Sequence, residues 1–300
     1  MTAEEFILLN KSLGHNILHT KKHSWLLRGD GSALSLPTLE DVHPSRNELA
    51  SLLSQGARIV LFKTDLPHKN CYEYLFVGDN YSIELFDSKI RNQIRKGLKN
   101  CIIKDASIND LTERGLDINN KTLDSQNRKA DYLSDKNKWN YYISKMKQNV
   151  DVFIKGAYVN DVLVAYIIFI KVKNKYYIYH PFMDKEYSSY CPMNALIYSF
   201  INEVLDKEVT IDISYGLASY SEKNGLDKFK KGMLFTESEC TRVVVVSRYL
   251  SLFINDFAHA IFKIFAKANV INESYVLKFE YLMNNKKILG EYLRLYGSKK

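Results

Sequence analysis

Short apolar runs separated by polar turn residues organise the first hundred positions of the chain. Residues 58–63 and 71–77 are rich in β-branched and aromatic side chains, which predicts two neighbouring strands. Residues 81–86 show the same pattern and predict a third strand. A helix is predicted over residues 89–98, because Asp87-Ser88 supplies a capping group directly before it.

The second half of the chain is more regular. Residues 152–159 and 162–171 flank Asn160-Asp161, and two β-rich runs joined by two such residues predict a hairpin. A third strand is predicted over residues 175–180 and is closed by Pro181. This stretch therefore favours an antiparallel sheet.

Pro192 stands where a first-turn proline opens a helix, here predicted over residues 193–205. A short buried strand, a polar loop, a helical turn and a final strand are then predicted over residues 209–213, 215–225, 226–231 and 242–247. The block from 150 to 248 is thus α/β in class, with a mixed, mostly antiparallel sheet.

Two other stretches differ from these blocks. Residues 107–150 are polar and helical, and we expect a boundary or connecting layer there. Residues 249–268 hold 14 apolar side chains among 20 and predict an apolar helix, followed by helices over 275–283 and 286–296. The pattern therefore places boundaries at about residues 107, 150 and 248.

Composition narrows the class of protein. A length of 300 residues favours two domains. The contents of 46% hydrophobic and 25% charged residues exclude collagen-like, low-complexity and disulfide-scaffold proteins. The net charge of +8 is divided equally between the two halves. It suits an anionic ligand such as a phosphorylated cofactor, a tRNA or a membrane surface, and it equally suits solubility alone.

The cellular setting follows from what the sequence lacks. The four cysteines are far apart without a CxxC pair, and the N-terminus has no basic-then-apolar signal segment. We therefore expect a reducing cytoplasm. There is no run of about 18 uncharged apolar residues, so nothing is predicted to span a bilayer.

The helix beginning at Pro192 is the first candidate site. Its unpaired amides and positive dipole end are suited to an anion such as the pyrophosphate of coenzyme A. The alternative is an ordinary helix start that binds water, which is the more common case. No GxxxxGK[ST] or GxGxxG motif occurs, so the usual nucleotide loops are excluded.

Asp212 closes a predicted buried strand and is followed by Ser214, Tyr215 and Gly216. A carboxylate at a strand exit beside a glycine can orient or deprotonate a nucleophile. The alternative, a carboxylate that caps loop amides, is the more frequent role. His180, at the end of its own strand, is a comparable candidate base with a comparable structural alternative.

The third candidate is the basic run that contains Arg91 and Arg95. These two residues share a helix face at a spacing of four, so two guanidinium groups can converge on one phosphate or carboxylate. A solvated basic helix face is the usual alternative. Lys228, Lys230 and Lys231 form a second basic cluster beside Phe229. No zinc, calcium or GxSxG hydrolase motif is present.

Four segments together resemble the ordered landmarks of FemAB-like acyltransferases in the GNAT superfamily. That family has a basic helix, a Pro-Gly-x-x-Leu helix start, an Asp-x-x-x-Gly strand exit and a Tyr/Phe-Lys pair. The matching segments here are SKIRNQIRKGLK at 88–99, YCPMNAL at 190–196, DISYG at 212–216 and FKKG at 229–232. Met193 replaces the family's frequent glycine, and the pyrophosphate loop of ordinary GNAT enzymes is absent.

The resemblance implies an α/β fold of two tandem GNAT-like modules, each with a mixed, mostly antiparallel sheet flanked by helices. Residues 1–120 would form the N-terminal module, 121–150 a helical connection and 151–248 the C-terminal module. Residues 249–300 would add a helical extension.

The resemblance also implies an N-acyltransferase in which an acceptor amine attacks the donor carbonyl directly, with acyl-CoA as co-substrate and no metal. The implied catalytic residues are Asp212 first, then His180 and Tyr215. The implied donor-binding residues are Ser189, Cys191, Met193, Asn194 and Lys230. The implied acceptor-binding residues are Arg91, Arg95 and Gly216.

Several alternatives stay open at this point. Some Fem-type relatives take aminoacyl-tRNA as the donor, and the missing pyrophosphate loop favours a GNAT-fold binding module without catalysis. An RNA-binding protein is a further alternative suggested by the basic runs. The acceptor is expected to be a small-molecule or lipid-linked amine, such as an amino sugar or a cell-envelope precursor. The sequence does not indicate an oligomeric state.

The C-terminal segment bears on where the acceptor lies. The apolar helix over 249–268 is followed by a basic end that includes Lys286, Lys287, Arg294, Lys299 and Lys300. Such a segment predicts peripheral contact with the inner face of an anionic membrane. The alternative, favoured by the general behaviour of apolar helices, is a helix packed against the second module.

Overall fold

A computed structural model describes residues 1–126, 128, 130–218, 224–268, 270–271 and 273–296. Part of the predicted loop at 215–225, and Lys299 and Lys300, lie outside the described residues. Among the described helices, none is both long enough and apolar enough to cross a membrane.

Eleven strands are present in the described residues. They are β1 (Asn16–His19), β2 (Ser24–Leu27), β3 (Ser32–Leu36), β4 (Ile59–Thr64), β5 (Cys71–Gly78), β6 (Ile102–Asp105), β7 (Val152–Val159), β8 (Val162–Val172), β9 (Lys175–Met183), β10 (Ile211–Leu217) and β11 (Thr236–Val246).

The helices are interspersed with these strands. They are α1 (Ala3–Ser12), α2 (Arg46–Ser54), α3 (Ser88–Asn100), α4 (Ile108–Asp110), α5 (Leu116–Ser125), α6 (Asp131–Ser134), α7 (Lys136–Lys147), α8 (Pro192–Leu205), α9 (Asn224–Gly232), α10 (Arg248–Phe253), α11 (Asp256–Lys267) and α12 (Glu273–Leu295). A π-helical turn covers Leu111–Gly115, and 3-10 turns cover Ile83–Leu85 and Lys185–Tyr190.

Four local predictions are wrong. The single helix predicted over 249–268 is divided into α10 and α11, and the two helices predicted over 275–283 and 286–296 are one continuous helix, α12. Residues 81–86 do not form a strand, because Asn80 turns the chain by accepting the Ser82 amide and the rings of Tyr81 and Phe86 then meet at 5.0 Å. Pro181 does not end β9, which continues to Met183. The missing N–H of proline is tolerated in a strand where one side is unpaired.

The chain divides into two compact units, each built from separate segments. The first unit comprises residues 1–13, 74–216 and 228–237, and the second comprises the described residues of 14–73, 217–227 and 238–300. The predicted boundaries at 120, 150 and 248 divide the chain into consecutive pieces, whereas these units interleave. In the second unit, for example, β11 pairs antiparallel with β4 although about 180 residues separate them.

The two units share one succession of elements. In the second unit β1, β2 and β3 form an antiparallel meander, and after α2 strand β4 pairs parallel with β3. In the first unit β7, β8 and β9 form the meander, and after α8 strand β10 pairs parallel with β9. The fold is therefore two tandem modules with mixed, mostly antiparallel sheets.

The core of the first unit lies on both faces of β8. Residues 163–170 of this strand are fully buried, as expected for a strand covered on both sides. On one face Phe200 of α8 stacks on Phe169 at 3.6 Å between ring centroids. On the other face Trp139 of α7 packs against Tyr166. These two aromatic contacts fix the helices that flank the candidate site.

Candidate functional site

The site begins where two parallel strands of the first unit separate. Strands β9 and β10 pair only from Lys175 with Asp212 to Tyr177 with Ser214. Directly beyond, the register of β8 and β9 shifts between Ile168 and Phe169, which makes a bulge in β9. A bulge bends its strand and often lies beside a functional site. We call the resulting gap the β9–β10 opening.

The corresponding gap in the second unit is closed by the chain itself. Strands β3 and β4 pair only as far as Leu34 with Leu61. Beyond that point Asp41 forms a parallel bridge with Lys63, whose carbonyl accepts the Val42 amide at 2.9 Å. No bridge of this kind spans the β9–β10 opening in the described part of the first unit. The opening in the first unit is therefore the candidate ligand site.

The N-terminus of α8 lies at the same end of the sheet as the opening. The helix follows the carboxyl end of β9 and returns to the start of β10, so its first turn faces the end where the strands part. Pro192 occupies the first turn, and Cys191 before it has a left-handed backbone with φ of 56°. Among the residues that the structure describes, no side chain caps this helix, so its positive end can receive an anion.

The basic helix α3 packs directly against this helix start. A Cβ added to Gly97 would lie 2.6 Å from the Cys191 carbonyl oxygen and 2.9 Å from the Ala195 Cβ. Burial raises the pKa of the Cys191 thiol, and the nearby charge of Lys96 opposes that shift. The structure thus places the Lys96 cation of α3 near the N-terminus of α8.

Asn194 ties three of the predicted segments together. Its side-chain amide donates to Gln93 of α3 at 3.5 Å and to the Met233 sulfur, just after α9, at 3.4 Å. Gly232, at the end of α9, lies against Ile90 of α3. Segments that the sequence separates by about 40 to 140 residues are therefore in contact around the first turn of α8.

The exit of β10 brings Tyr215 and Lys230 together. Lys230 is buried, with its Nζ 4.4 Å from the ring centroid of Tyr74 and 5.1 Å from that of Tyr215. Both distances are in the cation–π range. Burial raises the pKa of Tyr215, so its phenol stays protonated at neutral pH and can donate a hydrogen bond. Gly216 follows with φ of 85°.

Asp212 lies at the closed end of the strand pair. Its register partner is Lys175, whose Nζ is 3.9 Å from the carboxylate. Three residues of strand, about 10 Å, separate Asp212 from Tyr215 at the opening. The geometry therefore favours Tyr215 over Asp212 as the β10 side chain closest to the opening.

His180 lies beyond the bulge, on the sheet face covered by α7. Its Nε2 is 2.9 Å from the hydroxyl of Tyr142, and its ring stacks on Phe182 at 5.5 Å. By contrast, Tyr176 contacts Phe200 of α8 on the other face. His180 is thus held in an aromatic cluster at the level of the opening, and the buried Tyr142 hydroxyl is the hydrogen-bond partner of its Nε2.

The remaining predicted site residues lie on the loop before α8, in the first turn of α8 and on α3. Ser189 is exposed on the turn before α8, and Met193 is half-buried in the first turn of that helix. Arg91 uses its guanidinium to donate to the carbonyls of Glu84 and Phe86, at 3.2 and 2.9 Å. It therefore anchors the loop before α3. Arg95 is exposed on the same helix.

The loop between β9 and α8 is held by a buried carboxylate. Asp184, 1% exposed, accepts from Arg114 at 2.5 Å and Lys121 at 2.9 Å and also accepts the Glu186 amide. Burial alone would raise the pKa of Asp184, but the hydrogen bonds from Lys121, the Glu186 amide and Arg114 outweigh burial and lower it. This ion-pair cluster was not predicted, because Arg114 and Lys121 are 70 and 63 residues from Asp184 in the chain.

We expect D184N to lower the free energy of unfolding by about 2 kcal/mol at neutral pH, because two cations lose a buried partner. Since the folded-state pKa is lowered, the wild type loses this contribution as the pH falls through that pKa. The difference between the two proteins should therefore shrink below about pH 4. Urea unfolding across this range measures it.

The matched control is D131N. Asp131 pairs with Lys138 at 3.4 Å but is 82% exposed. An exposed pair of this kind contributes less than about 1 kcal/mol. Equal losses in D184N and D131N would contradict a structural role for Asp184.

Sequence comparison and structure comparison give different outcomes. No protein-family model matches the sequence, and no curated protein matches it. The fold resembles that of FemX with a TM-score of 0.53 at 10% identity, over 82% of this chain and 91% of that chain. It also resembles the C-terminal DUF2156 domain of a proposed lysylphosphatidylglycerol synthetase from Agrobacterium fabrum, with a TM-score of 0.51 at 10% identity, over 78% and 85%.

The strand succession in each unit defines the class as a fold of two tandem modules, each with a mixed, mostly antiparallel sheet. Within that class the chain has a FemAB-like GNAT fold, as the resemblance in sequence landmarks indicated.

Proposed function

We propose that this chain is a transferase that moves an acyl or aminoacyl group from an anionic donor to an amine. The observation that carries the proposal is the β9–β10 opening beside the uncapped N-terminus of α8. Parallel strands that separate can admit an extended ligand, and the helix start offers amide donors for its phosphates. The FemAB-like fold is consistent with such an activity.

In the proposed reaction the acceptor amine attacks the donor carbonyl inside the opening. A C–N bond forms, the C–S bond of a thioester or the C–O bond of an ester breaks, and the amine loses one proton. His180 is the proposed acceptor of that proton, because it lies at the level of the opening. Tyr215 is the proposed hydrogen-bond donor to the developing oxyanion or the leaving group, because its phenol stays protonated.

The donor is proposed to bind through the first turn of α8. Cys191, Met193 and Asn194 contribute the turn itself, and Ser189 stands on the loop before it. Lys96 and Lys230 supply positive charge on either side. Acyl-CoA carries a pyrophosphate that suits this arrangement, and aminoacyl-tRNA presents the same phosphate chemistry on a larger carrier. The acceptor is proposed to be an amino sugar or another cell-envelope amine, and Arg95 is available to bind its anionic part.

Calorimetric titration with acetyl-CoA, longer acyl-CoAs and aminoacyl-tRNA tests the proposal. We expect saturable binding of one donor class, and transfer to a panel of amines in the presence of that donor. CoA without an acyl group is the control for recognition of the pyrophosphate alone. An absence of heat with every donor would contradict the proposed transferase.

A second candidate is a GNAT-fold binding module without catalysis. The observation that favours it is Met193, together with the absence of the usual pyrophosphate loop at the start of α8. Binding of an amine in a separate titration with the amine panel, without binding of any donor, would support this candidate.

A further inference from the structure

An apolar surface covers the outer side of helices α10 and α11 in the second unit. We call it the aromatic face. Its most exposed members are Tyr249 at 81%, Phe257 at 75% and Phe253 at 70%, and Leu252, Ile264 and Phe265 are also exposed. Among its described residues, α11 buries no side chain fully. The expectation that this apolar helix completes a core is therefore not met on this side.

The opposite side of α11 is occupied by α12. The ring of His259 stacks on Phe279 at 5.9 Å, and its Nε2 is 2.9 Å from Glu280. Phe262 also stacks on Phe279, at 5.0 Å. Phe257 and Ile264 are seven residues apart and so lie on one stripe, which faces away from these contacts. The helix is thus anchored on one side and apolar on the other.

The positive charge of the chain is concentrated in the same segment. Residues 248–300 contain nine Lys and Arg against four Asp and Glu, which is five of the chain's eight net positive charges. Lys267 is exposed on α11 at the edge of the aromatic face, and Lys263 nearby pairs with Glu280 at 3.3 Å. A helix with an exposed aromatic stripe and basic flanks matches the anionic interface of a lipid bilayer.

We propose that the aromatic face docks this protein on an anionic membrane surface. Phe253, Phe257 and Ile264 enter the boundary between headgroups and acyl chains, while Lys267 remains with the anionic headgroups. The Tyr249 ring would lie at the membrane–water interface, because it combines an apolar ring with a polar hydroxyl. A second copy of the chain fits the surface less well, because a two-fold contact would bring the basic flanks of both copies together. This inference does not rest on the proposed transferase.

Vesicle co-sedimentation of the full chain tests the proposal. We expect the wild type to bind vesicles containing about 30 mol% phosphatidylglycerol and to bind phosphatidylcholine vesicles weakly, with binding reduced by salt. The double variant F257E/I264E should lose about tenfold or more in partition coefficient, because two exposed apolar groups become anionic. Since both side chains are exposed, unchanged circular dichroism is expected for the variant.

The matched control is V150E/V209E, which alters two valines, each 87% exposed, in the first unit. It makes the same charge change and should sediment with vesicles like the wild type. Two results would overturn the proposal: equal loss in both double variants, or no binding of the wild type to anionic vesicles. In the second case, a wild type that dimerises in solution and becomes monomeric in F257E/I264E would assign the aromatic face to self-association.

Discussion

Replacing Gly97 by alanine is expected to lower the free energy of unfolding by about 2–3 kcal/mol, although alanine is the better helix former. The added Cβ would stand 2.6 Å from the Cys191 carbonyl oxygen and 2.9 Å from the Ala195 Cβ. Neither neighbour is the end of a flexible side chain, so α3 and α8 must move apart. Urea unfolding followed by circular dichroism measures the loss.

The same substitution should weaken donor binding, because the displaced residues form the first turn of α8. G115A is the matched control in the same unit. A Cβ on Gly115 would meet its nearest neighbours at 3.6 Å, which is ordinary contact. G115A should therefore be neutral or more stable by up to about 1 kcal/mol. Similar losses in the two variants would show that α3 and α8 are not closely packed.

Replacing Lys230 by methionine is expected to reduce the kcat/KM of the proposed transfer by about 100-fold. Methionine has nearly the length of lysine without the charge, so the space between Tyr74 and Tyr215 stays filled. The buried cation is proposed to counter the negative charge of the donor phosphates or the oxyanion. Charge stabilisation in a site shielded from water is worth several kcal/mol.

K231M is the control, because Lys231 is about half exposed and pairs with Glu237 at 2.9 Å. We expect little change in its kinetics. The measurement is kcat/KM with the donor found by calorimetry, together with the donor Kd. If K230M and K231M have the same kinetics, Lys230 has no part in the reaction, and its contacts with the two tyrosines are structural.

Local signals in the sequence predicted many elements correctly. Asp87 caps α3 by accepting the Ile90 amide at 2.8 Å, and Pro192 occupies the first turn of α8. Asn160 and Asp161 both have positive φ, as the predicted two-residue hairpin requires. These features depend on residues within a few positions of each other, and so a local pattern is enough to predict them.

The first part of the chain was harder to interpret from its sequence. Strands β1 and β2 are four residues long, too short to give a clear alternating pattern. The sequence nevertheless contains a signal for the start of α2, because Ser45 and Glu48 have the spacing of a capping box, which they form in the structure. The two units share a strand order but no sequence repeat, so this similarity could be recognised only from the strand pairing.

The cysteines are a second example of contacts that sequence spacing does not predict. Cys71 and Cys240 are far apart in sequence, yet both lie buried in the second unit, and the Cys240 thiol is a close neighbour of Cys71. The Cys240 thiol and the charge of Arg242 lower the pKa of Cys71 despite burial. Sequence spacing could not indicate this pair, because strand pairing between distant segments creates it.

Local patterns along the chain were enough to predict most of its helices and strands, its charge distribution and the ordered landmarks of a FemAB-like fold. The folded structure was needed to show that β9 and β10 separate after Tyr177 and Ser214, and that Asp212 lies at the closed end. It alone showed that Gly97 lies against Cys191 and that the aromatic face of α11 is exposed. The reason is physical: caps, turns and helix periodicity arise between near neighbours, whereas strand register, close packing and exposure depend on contacts between residues far apart in the chain.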